Sequence, residues 1–253
     1  MTFDPRPAAR RLAAAWNDQA WLDPLPPEER PTTLDEGYDI QARLQQELGD
    51  GSIGWKIAGS SVKGLRLSPS GKALFGFLRT SCAHASGVGL PLPPGAVTLE
   101  VEVAVRFARD AAPASEAFDA SMIDAAFVAI EVVRSRFHDR KAVGQPSFVA
   151  DDAGFHAFVL GDELPGGLQS PALAAPAALH RDGAPLAGPM VGEEATDVLA
   201  ALALFWTHAA SRNLRVPAGT IVTTGTQTAP VDVREAGLYE ARIGAGVARL
   251  TLR

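Results

Sequence analysis

The chain has one cysteine, Cys82, in 253 residues. An intrachain disulfide is therefore excluded, as is a zinc site built on several thiolates, and a reducing compartment fits. Positive charge is not in excess: 23 Lys and Arg stand against 29 Asp and Glu, a formal charge of -6. No nucleic-acid partner is expected, since that would call for a basic patch. Long apolar runs are also missing at the start. Residues 1–30 are broken by Asp4, Asp18, Asp23, Glu28 and Glu29. The sequence thus predicts no secretory leader, no membrane partner and a cytoplasmic location.

What is plentiful is turn chemistry. The chain has 24 Gly and 19 Pro, which favours many turns and a β-rich fold. Helices are expected first, however. Residues 5–22 place Ala8, Leu12, Ala15, Trp16 and Leu22 near helical spacing, with arginines between them. The run from Pro24 to Pro31 cannot be helix. Thr33 and Glu36 form a capping box, and the helix behind it carries Tyr38, Ile40, Leu44 and Leu48 up to Gly49. Two helices cannot enclose a core, so residues 1–50 are expected to pack as a helical segment on a β domain of residues 51–253.

From Ser52 the pattern becomes short strands and turns. Lys56 lies within the strand candidate Ile53–Ile57, either turned to water or aimed into a pocket. In a pocket, desolvation and a nearby cation would depress its pKa and make it a proton carrier. Thr98 to Phe107 alternates strictly, with Leu99, Val101, Val103 and Val105 on one face and Glu100 and Glu102 on the other. Two carboxylates roughly 7 Å apart along a strand repel unless something positive lies between them. The face is either solvated or holds a divalent metal.

Glu131 is the one charge in the apolar run Ala125–Val133. Asp124 to Val133 reads as helix in its first half and strand in its second. A buried carboxylate needs a partner: Arg134 or Arg136, or a metal shared with Glu100 and Glu102. Further on, Ser147 to Gly161 reads as a loop with paired acids feeding a strand, with His156 packed rather than ligating. An apolar helix follows Gly192, through Trp206 to Asn213. Thr220–Thr226 is a strand ending in a Gly/Thr loop, and Tyr239–Ile243 with Gly246–Leu252 is a final hairpin.

Six segments in order resemble the 2-keto-4-pentenoate hydratase and 4-oxalocrotonate decarboxylase group of the fumarylacetoacetate hydrolase-like superfamily. They are Tyr38-Asp-Ile-Gln41, Gly54-Trp-Lys-Ile-Ala-Gly59, Glu100-Val-Glu102, Ala129-Ile-Glu-Val-Val-Arg-Ser-Arg136, Ala150-Asp-Asp-Ala-Gly154 and Val216 to Thr226. The resemblance implies an α+β fold, a mixed β-roll with an N-terminal helical segment. It implies Mg²⁺ or Mn²⁺ held by Glu100, Glu102 and Glu131, with Lys56 as the catalytic proton carrier. Asp151, Gly225 and Thr226 are implied to bind substrate. The implied reaction passes through an enolate of a small 2-oxo acid, with hydration of a 2-keto-4-enoate first and decarboxylation of a 4-oxalocrotonate-like acid next. A homo-oligomer is implied, with a related lyase subunit as a further partner.

This chain also departs from the group. Arg134 stands where the group has an acid, and Arg79-Thr-Ser-Cys82 lacks a carboxylate that the group often carries there. Asp152 replaces an Asn and Gly154 a Ser. An acylpyruvate-type C–C hydrolase would need a His–Glu pair before the metal strand, and His84 has no acid beside it. A catalytically weakened binding or assembly subunit is the expectation from a different class.

Overall fold

The computed structural model describes residues 3–253. Helix α1 (Arg6–Asn17) and helix α2 (Leu34–Glu47) form where spacing and capping require them. The Thr33 hydroxyl accepts the Glu36 N–H at 3.2 Å, and the Glu36 carboxylate accepts the Thr33 N–H at 3.1 Å. The two helices bury Ala8, Leu12, Ile40 and Leu44 against Leu25 of the proline-rich connection and against Phe137 and Ala150. Their apolar faces thus close on residues from beyond position 51.

The strands then follow: β1 (Ser52–Ala58), β2 (Leu74–Arg79), β3 (Ala83–Ala85), β4 (Val88–Leu90), β5 (Val97–Phe107), β6 (Ile123–Val133), β7 (Phe155–Leu164), β8 (Ala177–Arg181), β9 (Ala184–Ala187), β10 (Ile221–Thr226), β11 (Val231–Val233), β12 (Gly237–Ile243) and β13 (Gly246–Leu252). Helix α3 (Val62–Leu67) joins β1 to β2, α4 (Gly144–Ala150) precedes β7, and α5 (Val198–Ser211) precedes β10. One sheet runs β2-β1-β10-β5-β6-β7-β3, with β11 also paired to β5; the other runs β4-β13-β12-β8-β9. Both mix parallel and antiparallel pairs. The expected mixed α+β architecture is present.

The long strand β5 alternates as its sequence requires, yet both of its faces are inside. Val97, Leu99, Val101, Val103, Val105 and Phe107 enter the main core with Phe205 and Trp206 of α5 and Tyr239 and Leu250 of the second sheet. The other face carries Ala104 into a second cluster with Ala129 and Phe158, and Glu102 on it is fully buried. Segment 124–133 corrects an expectation. It is strand throughout, because every one of its residues from Ala125 to Val133 is buried between β5 and β7. Continuous apolar runs are ambiguous between buried helix and buried strand, and the alanines tip the reading falsely toward helix. A smaller correction is that Ser147–Ala150 ends helix α4 rather than lying in a loop, while the segment from Gly192 leads into the apolar helix, which starts at Val198 and is capped by Asp197.

Gly54 lets β1 take its place beside β10. Its φ is +156°, and a Cβ there would lie 1.6 Å from the Ile221 carbonyl oxygen. Gly54→Ala is therefore expected to destabilise the protein by about 3 kcal/mol or more, or to prevent folding. Urea unfolding followed by circular dichroism checks this; a loss below about 1 kcal/mol, ordinary for a surface change, would contradict it.

Candidate metal centre

Register, more than sequence spacing, builds the site. Glu100 and Glu102 lie two apart on β5 and so share a face. Glu131 on β6 is the direct antiparallel partner of Glu100. Across such a rung, side chains lie on the same face within a few ångströms. One carboxylate oxygen from each of the three glutamates lies within 4.8 Å of the others. Glu102 and Glu131 are fully buried, and Glu100 is half-buried at the open side.

The fourth charge comes from β1. Lys56 is 1 % exposed, and its Nζ stands 2.8 Å from Glu131 Oε1. This identifies the partner of Glu131. Neither of the expected arginines fills that role. Arg134 donates to the Gln19 carbonyl at 2.9 Å and lies over the Trp21 ring, so the charge that replaces the group's acid is turned away from the triad. Arg136 is bound to Asp151. The expectation for the Lys56 pKa is also corrected: burial lowers it, but Glu131, Glu100 and Glu102 raise it by more, and the net shift is upward. Lys56 is an ammonium.

One ammonium does not balance three carboxylates. Burial and the neighbouring acids raise Glu102 well above the usual carboxylate range. Burial raises Glu131 to about 7 even with Lys56 opposing the shift. Glu102 receives the Gly225 N–H on Oε2 at 3.0 Å. Its Oε1 and the Glu131 oxygens have no well-formed hydrogen bond, the Lys56 contact being a close ion pair. Buried carboxylate oxygens without donors are costly, and a hard divalent cation would satisfy them. Ligand oxygens about 2.1 Å from Mg²⁺ sit at most about 4.2 Å apart, so small side-chain rotations would close this set around the ion. The residues fit the implied metal.

A cleft of about 430 Å³ opens on the triad, with Lys56 and Glu100 in its wall. Leu74, Val133 and Phe148 supply apolar surface, and Arg140, Lys141 and Gln145 supply polar ends. The three residues expected to bind substrate are not among those lining this cleft. Asp151 is fully buried, and its carboxylate is held by Arg136 and by the Ser135 hydroxyl at 2.7 Å. The Gly225 amide serves Glu102, and the Thr226 hydroxyl donates to the Thr228 carbonyl at 2.8 Å. These residues brace the site from behind, because local backbone and buried ions take up their polar groups.

Asp152, noted in the sequence as one of a pair of acids and as a replacement for an Asn, matters more. It is 3 % exposed, and its Oδ1 accepts the Phe77 N–H at 2.7 Å. A Cβ on Gly76 would lie 3.1 Å from that oxygen, and Gly76 is the cross-strand partner of Lys56. Asp152 therefore lies over the face of the β1–β2 pair from which Lys56 projects. Burial raises it to about 6, opposed by the Phe77 N–H and by Arg136, Lys56 and Arg79. A buried carboxylate thus stands on the lysine side, from an element other than 79–82. Asp152 and Ala153 both adopt left-handed backbone, with φ of 52° and 48°, a strain that surrounding structure must hold in place. Arg140 and Lys141 had no sequence signal beyond being two adjacent basic residues.

No protein-family profile matches the sequence, and no curated protein matches it. Solved structures do match it in shape. The 4-oxalocrotonate decarboxylase from Pseudomonas putida G7, complexed with magnesium and adipate, superposes with a TM-score of 0.83 at 20% identity over 98% of each chain. A fumarylacetoacetate hydrolase family protein from Yersinia pestis CO92 gives 0.59 at 18% identity over 79% of this chain and 92% of its own. Fumarylpyruvate hydrolase from Pseudomonas aeruginosa, in complex with Mn²⁺ and pyruvate, gives 0.53 at 14% identity over 78% and 88%. The chain therefore has the fold of the fumarylacetoacetate hydrolase-like superfamily, as the six sequence segments implied. Within that fold it matches the decarboxylase end to end, N-terminal helices included, whereas the two hydrolase-family structures leave about a fifth of it uncovered.

Glu131→Gln is expected to abolish Mg²⁺ and Mn²⁺ binding in calorimetry. Lys56→Met should keep it or tighten it, since a cation beside the ion is removed; loss of binding would mean that the lysine has a structural part in the centre. The metal must also displace protons from carboxyls whose pKa values are raised. Affinity should therefore rise with pH through the range in which Glu131, raised to about 7, and Glu102, raised well above the usual carboxylate range, give up their protons. Titrations at pH 6 in buffers of different ionisation enthalpy should show proton release.

Proposed function

We propose that this protein is a divalent-metal-dependent enzyme, a lyase acting on a small 2-oxo acid. The observation that carries this reading is the buried triad beside a buried ammonium in the wall of one cleft. A bound Mg²⁺ or Mn²⁺ would polarise the 2-oxo group and offset negative charge developing there. The chain's own residues supply the rest. Lys56, charged and fixed by Glu131, is placed to stabilise that charge and to deliver a proton to the reacting carbon. Asp152 is a second proton-holding group on the lysine side, raised by burial to about 6. Leu74, Val133 and Phe148 line the cleft with apolar surface, which strengthens each charge interaction inside it.

Between the two lyase chemistries, decarboxylation of a 2-oxo dicarboxylic acid is preferred, which reverses the order expected from sequence. Arg140 and Lys141 line the same cleft as the triad and suit a second carboxylate, Arg by paired donors and Lys as a point charge. Adipate in the Pseudomonas putida decarboxylase is itself a linear dicarboxylate. Hydration is the second reading, favoured by Asp152, which could hold a proton of the incoming water. A hydrolase with His84 as base has less support, since His84 sits on β3 at the sheet edge, outside the cleft. The weakened-subunit reading loses its main support once Asp152 supplies the acid.

A panel of 2-oxo acids with Mg²⁺ or Mn²⁺, followed by ultraviolet absorbance and CO₂ release, tests the proposal. Turnover of an unsaturated 2-oxo dicarboxylate with CO₂ release is expected; dienol loss without CO₂ would favour hydration, and no turnover of any acid would refute both. Lys56→Met should lower kcat by about 10²-fold or more while metal still binds. Arg140→Ala should raise KM for a dicarboxylate roughly tenfold, a loss near 1.4 kcal/mol, and leave a monocarboxylate unaffected.

A further inference from the structure

A second cleft, of about 260 Å³, lies between α2, α5 and segment 71–75. It shares no lining residue with the triad cleft. Leu74 faces the triad cleft while Ala73 and Phe75 face this one, so the two lie on opposite sides of the entry to β2. Aromatic rings form its wall. Phe75 and His208 stack with centroids 4.2 Å apart and planes 13° from parallel, and the Tyr38 ring lies 4.6 Å from His208. Burial, with Arg212 and Lys72 nearby, pushes His208 down to about 4, so the imidazole is a flat neutral surface near pH 7.

The polar groups at this cleft are unevenly satisfied. Tyr38 is 7 % exposed; its hydroxyl accepts the Phe75 N–H at 3.2 Å, and its own proton has no acceptor among the described residues. A buried donor without an acceptor is costly. Asp39 and Asp35 hold Arg212. Lys72, exposed at the rim, has no ion-pair partner among the described residues. The cleft therefore offers an aromatic wall, one buried donor and one free cation. Its volume is just under the roughly 300 Å³ at which drug-sized pockets begin, which suits a single ring.

We infer that this cleft is a binding site for a small aromatic carboxylate, its ring against His208 and Phe75, its carboxylate on Lys72, with the Tyr38 hydroxyl as second donor. The site is independent of the triad and does not rest on the proposed reaction.

The probe is 4-fluorobenzoate, followed by fluorine NMR on the full chain. Binding at millimolar concentration or tighter is expected. Lys72→Ala, a change at an exposed position, should weaken it roughly fivefold or more, the loss of one charge-assisted contact. Tyr38→Phe should also weaken it. 4-Fluorobenzyl alcohol, which lacks the charge, should bind less well than the acid. Glu131→Gln, and saturating oxalate with Mg²⁺, should leave binding unchanged. The assignment is overturned if no binding occurs, if Lys72→Ala has no effect, if the alcohol binds as well as the acid, or if oxalate with Mg²⁺ displaces the probe. The last result would put the acid in the triad cleft instead.

Discussion

Three carboxylates and one ammonium are held together inside the protein, and much of the architecture serves that arrangement. Like charges a few ångströms apart in a low-dielectric interior cannot all ionise. The chain manages this in three ways. Lys56 is placed against Glu131, the Gly225 amide is given to Glu102, and burial with the crowding of like charge raises the proton affinity of Glu102 and Glu131. A buried ion pair alone is weak evidence for stability. Here it leaves an excess of negative charge and unpaired oxygens, the signature of a site prepared for a metal.

A second buried ion pair lies behind the first. Arg136 and Asp151 are both almost wholly buried. Arg136 donates to the Asp151 carboxylate and to the carbonyls of Asp151 and Phe155, at 2.8 and 2.7 Å to the carbonyls. The pair ties the end of β6 to the turn before β7, where Asp152 takes its left-handed backbone. Trp16 of α1 packs against this region, with the guanidinium carbons of Arg136 and Arg79 at 4.1 and 4.3 Å from its ring centre. Cation–π contacts at desolvated positions are worth about 2 kcal/mol. The N-terminal helix thus buttresses the turn that presents Asp152, and links the helical segment to the chemistry of the β domain.

The sheet domain supplies rigidity. β5 is covered on both faces, and its neighbours β6 and β10 fix its position in register. Side chains on such a strand are set by the pleat rather than by loop conformation, which gives the precision that a metal centre needs. The cleft residues Arg140 and Lys141 come instead from the segment leading into α4, and Gln145 from that helix's first turn, away from the strands that carry the triad.

Local chemistry made some features readable from the sequence alone. The capping box at Thr33, the alternation of β5 and the isolation of Glu131 each follow from rules that act over a few residues. The expectation of a metal at Glu100, Glu102 and Glu131 needed the resemblance of the six segments as well, because local chemistry left a solvated face and an arginine partner for Glu131 open. The tertiary structure decided what depends on partners distant in the chain. It made 124–133 one strand, because a run buried on both faces carries no periodicity of its own. It gave Glu131 to Lys56, 75 positions away by number, rather than to the neighbouring arginines. It turned Arg134 aside, engaged Asp151 with Arg136 and brought Asp152 over the rung that carries Lys56. Charge has no signature for direction in a sequence; sheet register and burial determine which charges meet.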